Sequence, residues 1–198
     1  MRNDTAKTKS LALIGFTAFG QVAQAAIPSG CGQTIGSGTI GAVYDPTTET
    51  VTITAVIPNT SYAGWGWGGS MADTEMVIFE TSTDLGVSYY DGTGYFTPTA
   101  NPSFAPCYTT TSSVDETTQV ATLTATRPLE CAGIADSYVI QLDTNLAIIT
   151  AWDDSSSTLT YHDTNKFSFT QYLGSDGTCS ADPPGPEPTP PTAEATCQ

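Results

Sequence analysis

Short segments rich in β-branched and aromatic residues recur along this chain, and each is bounded by Gly, Pro, Asn, Asp or Ser. The clearest is 51–57 (VTITAVI), which stops at Pro58-Asn59. Such segments are typical of β-strands. A regular series of short strands separated by turns predicts an all-β fold, an antiparallel β-sandwich. The other predicted strands are 75–80, 87–90, 120–126, 138–142, 146–152 and 166–172.

Residues 1–25 have the pattern of a secretory signal peptide. A basic start (MRNDTAKTK) precedes the apolar stretch 11–19 (LALIGFTAF), and Ala-Gln-Ala at 23–25 fits a cleavage site. The apolar stretch is too short for a membrane span, which takes about 20 residues. We therefore expect a secreted, extracellular protein that starts near Ala26 and has no membrane span. Asn59-Thr-Ser is an N-glycosylation acceptor, so a glycoprotein is expected.

The mature chain is predicted to be one domain with a tail. Residues 26–180 are enough to bury a core of their own, whereas 181–198 end in the Pro-rich stretch DPPGPEPTPPTAEATCQ and should form an extended linker or tail. Without the first 25 residues, two of the five cations (Arg127 and Lys166) remain against nineteen of the twenty acids, which gives a net charge of −17. Such a charge effectively excludes nucleic acid as a partner.

Five cysteines suit an oxidising compartment, where two disulfides and one leftover thiol are expected. Cys31 and Cys179 bracket the domain, so a bridge between them would tie its ends together. Cys107 and Cys131 could then pair, which leaves Cys197 in the tail. The sequence alone does not fix this pairing.

Two segments could carry a function. His162 is the single histidine of the chain, although a lone histidine is more often a surface or core residue than a ligand. The segment Gly64–Met71 (GWGWGGSM) places glycines where backbone must come close to something flat and large. Two other interpretations of this segment are a sandwich edge with Met71 as core filler and a carbohydrate platform built on Trp65 and Trp67.

In their order and spacing, these segments resemble the DOMON domain, and within it the extracellular haem cytochromes exemplified by the cytochrome domain of fungal cellobiose dehydrogenase. The matching pieces are Gly64–Met71 with the following EMVIFE, ATLTATRPLE (121–130), the strand that ends at Ala151-Trp152, the pair Tyr161-His162, and KFSFTQY (166–172). The resemblance covers almost all of residues 40–175.

The resemblance implies an immunoglobulin-like two-sheet architecture and one haem b with Met71 and His162 as its axial ligands. Met76 is a second methionine nearby, but Met71 follows the glycines directly and is the expected ligand. No Cys-x-x-Cys-His motif occurs, so the haem would be held non-covalently. Two filled axial positions imply electron transfer rather than bond activation.

Further residues are candidates for the haem pocket. Its expected walls are Trp65, Trp67, Tyr90, Tyr161 and Phe169. Arg127, in the TRPLE segment, either anchors a haem propionate or pairs with a carboxylate. Asp153, Asp154 and Asp163 form either a calcium site or, as we expect, a solvated turn.

The expected function is that of an extracellular b-type cytochrome, an electron-transfer domain rather than a stand-alone enzyme. Its partners would be a redox protein or a small-molecule donor or acceptor. By resemblance the donor is a flavin dehydrogenase, and the acceptor is ferric iron, a quinone or a copper polysaccharide oxygenase, which leaves polysaccharide association as an option. The alternative is a haem-free β-sandwich that binds carbohydrate or protein partners.

Overall fold

A computed structural model describes residues 26–82, 85–94, 98–160, 162 and 164–181, except for the side chains of residues 73 and 93. The predicted signal peptide, Tyr161, Asp163 and Cys197 lie outside the described residues, as does the tail beyond residue 181. The described strands are β1 Gly32–Ile35, β2 Gly38–Asp45, β3 Thr50–Pro58, β4 Tyr62–Trp67, β5 Ala72–Glu80, β6 Gly86–Thr93, β7 Thr99–Ala100, β8 Thr109–Asp115, β9 Val120–Pro128, β10 Thr144–Asp153, β11 Lys166–Leu173 and β12 Cys179–Ala181. A 3-10 helix, Pro102–Cys107, precedes β8.

These strands form two antiparallel sheets. The first has five strands in the order β1-β2-β3-β9-β8, and the second has seven in the order β12-β11-β10-β4-β5-β6-β7. β3 and β4 follow each other in the chain but belong to different sheets, so the chain crosses the sandwich at residues 59–61. The predicted antiparallel β-sandwich is confirmed.

The core lies between the sheets, and the alternation of each strand determines which residues enter it. In β3, Val51, Ile53, Ala55 and Ile57 are buried in the core, whereas the intervening Thr52 faces outward and shares a hydrogen bond of 2.8 Å with the hydroxyl of Thr126. Residues of the first sheet thereby pack against the inner face of the second.

One predicted strand is wrong. Residues 138–142 are not a strand, because their backbone groups bond to side chains and to a loop instead of a sheet. The Tyr138 amide donates to Glu75 Oε2 at 2.7 Å, its carbonyl accepts from Arg127 Nη2 at 2.6 Å, and the Ile140 amide donates to the Leu129 carbonyl at 2.9 Å. The other predicted strands are present, each with one or both ends shifted by one to three residues.

Two disulfides join distant parts of the fold. Cys31 pairs with Cys179, and the bridge links the start of β1 to β12, the edge strand of the other sheet. Cys107, at the end of the 3-10 helix, pairs with Cys131 just after β9. Both expected pairings are present, and the first does tie the two ends of the described domain together.

Within the described residues, none of the helices has the length and apolar character that crossing a membrane requires.

Candidate functional site

The middle strand of the seven-stranded sheet separates large side chains from glycines. Because successive residues of a strand point to opposite faces, Trp65 and Trp67 enter the core, whereas Tyr62, Gly64 and Gly66 lie on the outer face. The two glycines therefore leave a bare strip of backbone in the centre of the outer face.

This strip forms the floor of a cavity of about 490 Å³. The neighbouring strands contribute outer-face residues opposite the glycines, since Ile149 pairs with Gly66 and Ala151 pairs with Gly64. On the other side, Met76 and Ile78 of β5 pair with the same two glycines. The remaining lining residues are Tyr62, Trp65, Met71, Pro98, Leu159, Thr160, His162 and Lys166. The lining is mainly apolar, as in typical ligand-binding cavities.

The depth of the floor depends on the glycines themselves. A Cβ atom on Gly66 would lie 2.6 Å from Ile149 Cγ2 and 2.9 Å from Thr74 Cγ2, and one on Gly64 would lie 3.0 Å from Ile78 Cδ1. These separations are shorter than van der Waals contact, so no other residue fits at position 66 without displacing its neighbours. The close packing of the neighbouring strands therefore requires glycine at position 66, and both glycines line the cavity without a side chain of their own.

Met71 and His162, which are far apart in the sequence, line this same cavity. Met71 lies just before β5, and its carbonyl accepts a hydrogen bond from the Gly94 amide at 2.8 Å. His162 lies in the connection between β10 and β11, and its carbonyl accepts from the Asn165 amide at 2.8 Å. Met76 also lines the cavity, so two methionines and the histidine border the same space.

Lys166 is a cavity residue that the sequence did not single out for the site. It is the first residue of β11, and it pairs with Ala151 across the sheet at the cavity wall. The other described cation, Arg127, is buried in the core. Of the two cationic side chains among the described residues, Lys166 is therefore the one that lies at the cavity.

Arg127 pairs with a carboxylate, which is one of the two roles expected from its sequence context. It is 0% exposed, and its Nη1 lies 2.5 Å from Oε1 of Glu75, which is itself buried. The same carboxylate accepts from the hydroxyl of Tyr108. Because Arg127 belongs to β9 and Glu75 to β5, the ion pair joins the two sheets inside the core. Arg127 is not among the residues that line the cavity.

The expected aromatic walls lie mostly elsewhere. Trp65 and Trp67 are buried in the core with ring centroids 5.4 Å apart, and Phe169 packs edge-on against Trp65 at 5.6 Å. Trp65 borders the cavity floor, whereas Trp67 stacks on Tyr138 in the core and is not part of the lining. Because both tryptophans are buried, they do not form an exposed platform for carbohydrate.

Tyr90 lies on the outer face beside the cavity rather than in its lining. It pairs with Met76 across β5 and β6, and it is half-buried. Burial and the negative charge of Glu80 raise the pKa of its hydroxyl above the ordinary value. The placement of Tyr161 is not described.

The acidic turn after β10 uses its described carboxylates to hold the backbone. Asp153 Oδ1 accepts from the amide and the hydroxyl of Ser155 at 2.8 and 2.7 Å, and Asp154 Oδ2 accepts from the Ser37 amide at 3.0 Å. These hydrogen bonds lower the pKa of Asp153. Across the described residues, His, Cys, Asp and Glu form no group of three or more that could hold a metal ion.

Comparison with known proteins gives structural matches. No protein-family model matches the sequence, and no curated protein matches it significantly. The cytochrome domain of Myriococcum thermophilum cellobiose dehydrogenase matches with a TM-score of 0.51 and 14% identity, over 71% of this chain and 77% of that one. The cytochrome b domain of pyranose dehydrogenase from Coprinopsis cinerea matches with a TM-score of 0.48 and 16% identity, over 67% and 76% of the two chains. The similarity expected from the sequence is thus present in the fold: this chain has the two-sheet β-sandwich fold of the cytochrome domain of cellobiose dehydrogenase.

Proposed function

We propose that the chain is an extracellular b-type cytochrome that binds one haem non-covalently in the cavity and relays single electrons. The observation that carries the proposal is the meeting of Met71 and His162 at one cavity, because a thioether and an imidazole together are a known axial ligand pair of haem iron. The fold shared with a dehydrogenase cytochrome domain supports it further.

The cavity suits a haem in shape and in donor chemistry. Its floor is the glycine strip of β4, which contributes no side chain to the cavity, and an added Cβ atom there would collide with Ile149, Thr74 or Ile78. Its walls are mainly apolar, as a porphyrin requires, and its donors are neutral side chains that bind iron in both oxidation states. In the cavity, Met71 and His162 are the residues that would hold the iron, with Met76 as a second thioether nearby.

A haem bound there supplies a one-electron iron couple, whose potential is raised by thioether ligation relative to bis-histidine ligation. The chain contributes the two ligands and the apolar walls, which limit water in the cavity. Met71 and His162 would both be used to hold the iron, and a haem held in this way would supply electron transfer rather than substrate binding. These features favour an electron-transfer domain over a stand-alone enzyme.

Lys166 is the residue that we propose to pair with a haem propionate. It supplies a positive charge at the cavity wall, in a chain with a net charge of −15. Lys166→Met should weaken haem binding and make the haem affinity less dependent on salt concentration. Lys166→Arg should keep the wild-type affinity and the wild-type salt dependence. Equal haem affinity in all three proteins would rule out this pairing.

We also propose that the protein is secreted and glycosylated at Asn59, and that its partners are redox proteins or small redox molecules. The two disulfides support an oxidising compartment. A reduced flavin on another protein or module is the proposed donor. Ferric iron, a quinone or a copper polysaccharide oxygenase is the proposed acceptor.

Haem titration of the purified protein tests the proposal. We expect one equivalent to bind and to give a six-coordinate, low-spin absorption spectrum in both oxidation states. His162→Ala should abolish or severely weaken binding, because the chain has no other histidine. The control is Glu116→Ala, which changes an exposed residue in the turn after β8 and should bind like the wild type. Wild-type protein that binds no haem, or His162→Ala with an unchanged spectrum, would refute the proposal.

A further inference from the structure

We propose that Tyr62 and Glu80 are positioning residues that hold the backbone next to His162, and so set the orientation of this ligand. Together with Asp153 they form a row across three strands, which we call the anchoring row. The inference rests on the proposed function, since it concerns the same histidine.

The anchoring row lies at one end of the cavity floor. Asp153 of β10 pairs with Tyr62 of β4, and Tyr62 pairs with Glu80 of β5. Directly opposed residues in antiparallel strands have neighbouring side chains on the same face. Since Tyr62, Gly64 and Gly66 alternate along β4, the row stands on the outer face, beside the glycine strip.

Glu80 binds the connection through a backbone amide. Its Oε1 accepts from the Leu159 amide at 2.8 Å, and its Oε2 accepts from the Ser88 hydroxyl at 3.1 Å. Ser88 belongs to β6 and faces the same side of the sheet, because it pairs with Ile78. Both oxygens of the carboxylate therefore have donors, and the side chain is fixed between the sheet and the connection.

Tyr62 binds the next residue through a carbonyl. Its hydroxyl donates to the Thr160 carbonyl at 2.8 Å, and its side chain is fully buried. Burial raises the pKa of this hydroxyl, so it remains a donor well above neutral pH. One acceptor and one donor of the row thus bind the consecutive residues Leu159 and Thr160, just before His162.

The chain on the far side of His162 is tied back as well. The Asn165 amide donates to the His162 carbonyl at 2.8 Å, and the Asn165 carbonyl accepts from the Trp152 amide at 3.1 Å. Asp153 binds Ser155 at the start of the connection and accepts from the Thr160 hydroxyl at 3.4 Å. His162 is therefore flanked on both sides by backbone that is bonded to the sheet. Such pre-ordering lowers the cost of placing a ligand correctly.

Two pairs of variants test the inference. Glu80→Ala removes the acceptor, whereas Glu80→Gln retains a carbonyl oxygen for the Leu159 amide and an amide donor toward Ser88. We expect Glu80→Ala to raise the haem dissociation constant about tenfold, which corresponds to the loss of one charge-assisted hydrogen bond. Glu80→Gln should stay near the wild-type value. Tyr62→Phe should weaken binding in the same direction, and Glu116→Ala should not.

Spectroscopy separates positioning from a general loss of stability. We expect Glu80→Ala and Tyr62→Phe to show a mixture of five- and six-coordinate haem and a shifted midpoint potential, with recovery of both in Glu80→Gln. In the haem-free protein, the Leu159 amide should exchange its hydrogen faster in Glu80→Ala than in Glu80→Gln.

The possible failures are distinguishable. Wild-type protein that binds no haem would refute the proposed function and, with it, the role in ligation. Wild-type protein that binds haem, with variants of unchanged affinity, spin state and potential, would refute only the positioning role. If Glu80→Ala does not fold, Tyr62→Phe decides between these outcomes, because it removes a single oxygen atom.

Discussion

Gly64 and Gly66 contribute to the site because they lack side chains. Each takes an outer-face position in the middle of a sheet, where most residues would cover the backbone. Trp65 and Trp67 together supply core packing on the other face, where they have almost no exposed surface. The GWGW segment thus combines a bare cavity floor with a dense core in a single strand.

Gly66→Ala should damage the cavity and the packing together. The added methyl group would contact Ile149, whose β-branched side chain has little rotameric freedom to move away. We expect the free energy of unfolding to fall by about 1–3 kcal/mol and haem affinity to fall about tenfold or more. Denaturant unfolding and haem titration measure the two effects.

Gly69→Ala is the matched control for this change. Its Cβ atom would lie 3.4 Å from the nearest side-chain atom, Ala147 Cβ, so little needs to move. Both variants add the same methyl group to the same Gly-rich segment. If Gly66→Ala behaved like Gly69→Ala in both measurements, the glycine floor would not be required for binding.

Tyr89 and Tyr108, stacked at 4.7 Å, should make stability fall at high pH. Burial raises the pKa of Tyr89 to about 12, and burial with the nearby Glu75 carboxylate raises that of Tyr108 further. The unfolded chain releases these protons near pH 10. The folded state therefore binds more protons above that pH, so the contribution is complete below about pH 10 and is lost as pH rises toward about 12.

Unfolding in denaturant at several pH values between about 9 and 11 checks this prediction. The free energy of unfolding should decline over the range, and Tyr89→Phe should decline less steeply. A wild-type stability that is constant from about pH 9 to 11 would show that these hydroxyls ionise equally easily in both states.

Residue identity alone predicted only part of the site. Met71 and His162 were proposed through a resemblance in order and spacing, and they do line one cavity. The alternation of β4 shows that Trp and Gly occupy opposite faces, but not which face is the core. The face that carries the tryptophans packs in the core because burying their larger apolar area is more favourable. Lys166 was missed because only the pairing of β10 with β11 brings it to the cavity.

At the scale of elements, a buried ion pair connects the two sheets. Glu75 of β5 and Arg127 of β9 are both buried, and their remaining hydrogen-bonding groups bind Tyr108, Ser137, Tyr138 and the carbonyl of Pro128. Charged side chains are rarely buried without partners, and although a carboxylate partner for Arg127 was one of the two roles expected, the sequence does not identify Glu75, 52 positions away, as that partner. The same network is the reason that residues 138–142, which have strand-like composition, form no strand.

Breaking this ion pair should be costly for stability. Arg127→Met leaves the Glu75 carboxylate buried without its counter-charge, so we expect a loss of about 3–5 kcal/mol in the free energy of unfolding. Adding Glu75→Leu removes that charge, and the double variant should lose less than the sum of the two single variants. Thr126→Val, an outward-facing neighbour in β9, is the control and should cost much less.

Denaturant unfolding of these variants gives the required values. Strictly additive losses would indicate that Arg127 and Glu75 act independently. Haem affinity should change little in any variant that still folds, because neither residue lines the cavity.

At the scale of the whole molecule, the net charge and the position of the cavity together affect how charged redox partners approach the cavity. The cavity lies on the outer face of the seven-stranded sheet, away from the other sheet, and the chain has a net charge of −15. A molecule with this field attracts cations and repels anions, and added salt screens both effects.

Electron transfer should therefore depend on salt with a sign set by the oxidant. Reduced protein mixed with a cationic one-electron oxidant should react more slowly as ionic strength rises, whereas an anionic oxidant of similar potential should react faster. Stopped-flow absorbance measures both rates. If neither oxidant reacts faster than with the His162→Ala protein, the electron-relay function is wrong.

The sandwich and its paired sheets follow from strand patterns along the chain, whereas contacts between distant strands do not. Their β-branched and aromatic composition and the turn residues that bound them predicted β3, β5 and β9, and in β3 alternation also placed Val51, Ile53 and Ile57 on the core face. The short edge strands β1 and β12 have too few residues for such a pattern. They are instead joined by the bridge between Cys31 and Cys179.

Proton NMR of the reduced, haem-loaded protein tests the ligand pair most directly. The methyl group of a methionine bound to ferrous haem lies over the ring, and the ring current moves its resonance far upfield. We expect one such resonance in the wild type and in Met76→Ala, and none in Met71→Ala. No upfield methyl resonance in the wild type, or one that persists in Met71→Ala and disappears in Met76→Ala, would contradict the assignment of Met71 and His162 as the two ligands.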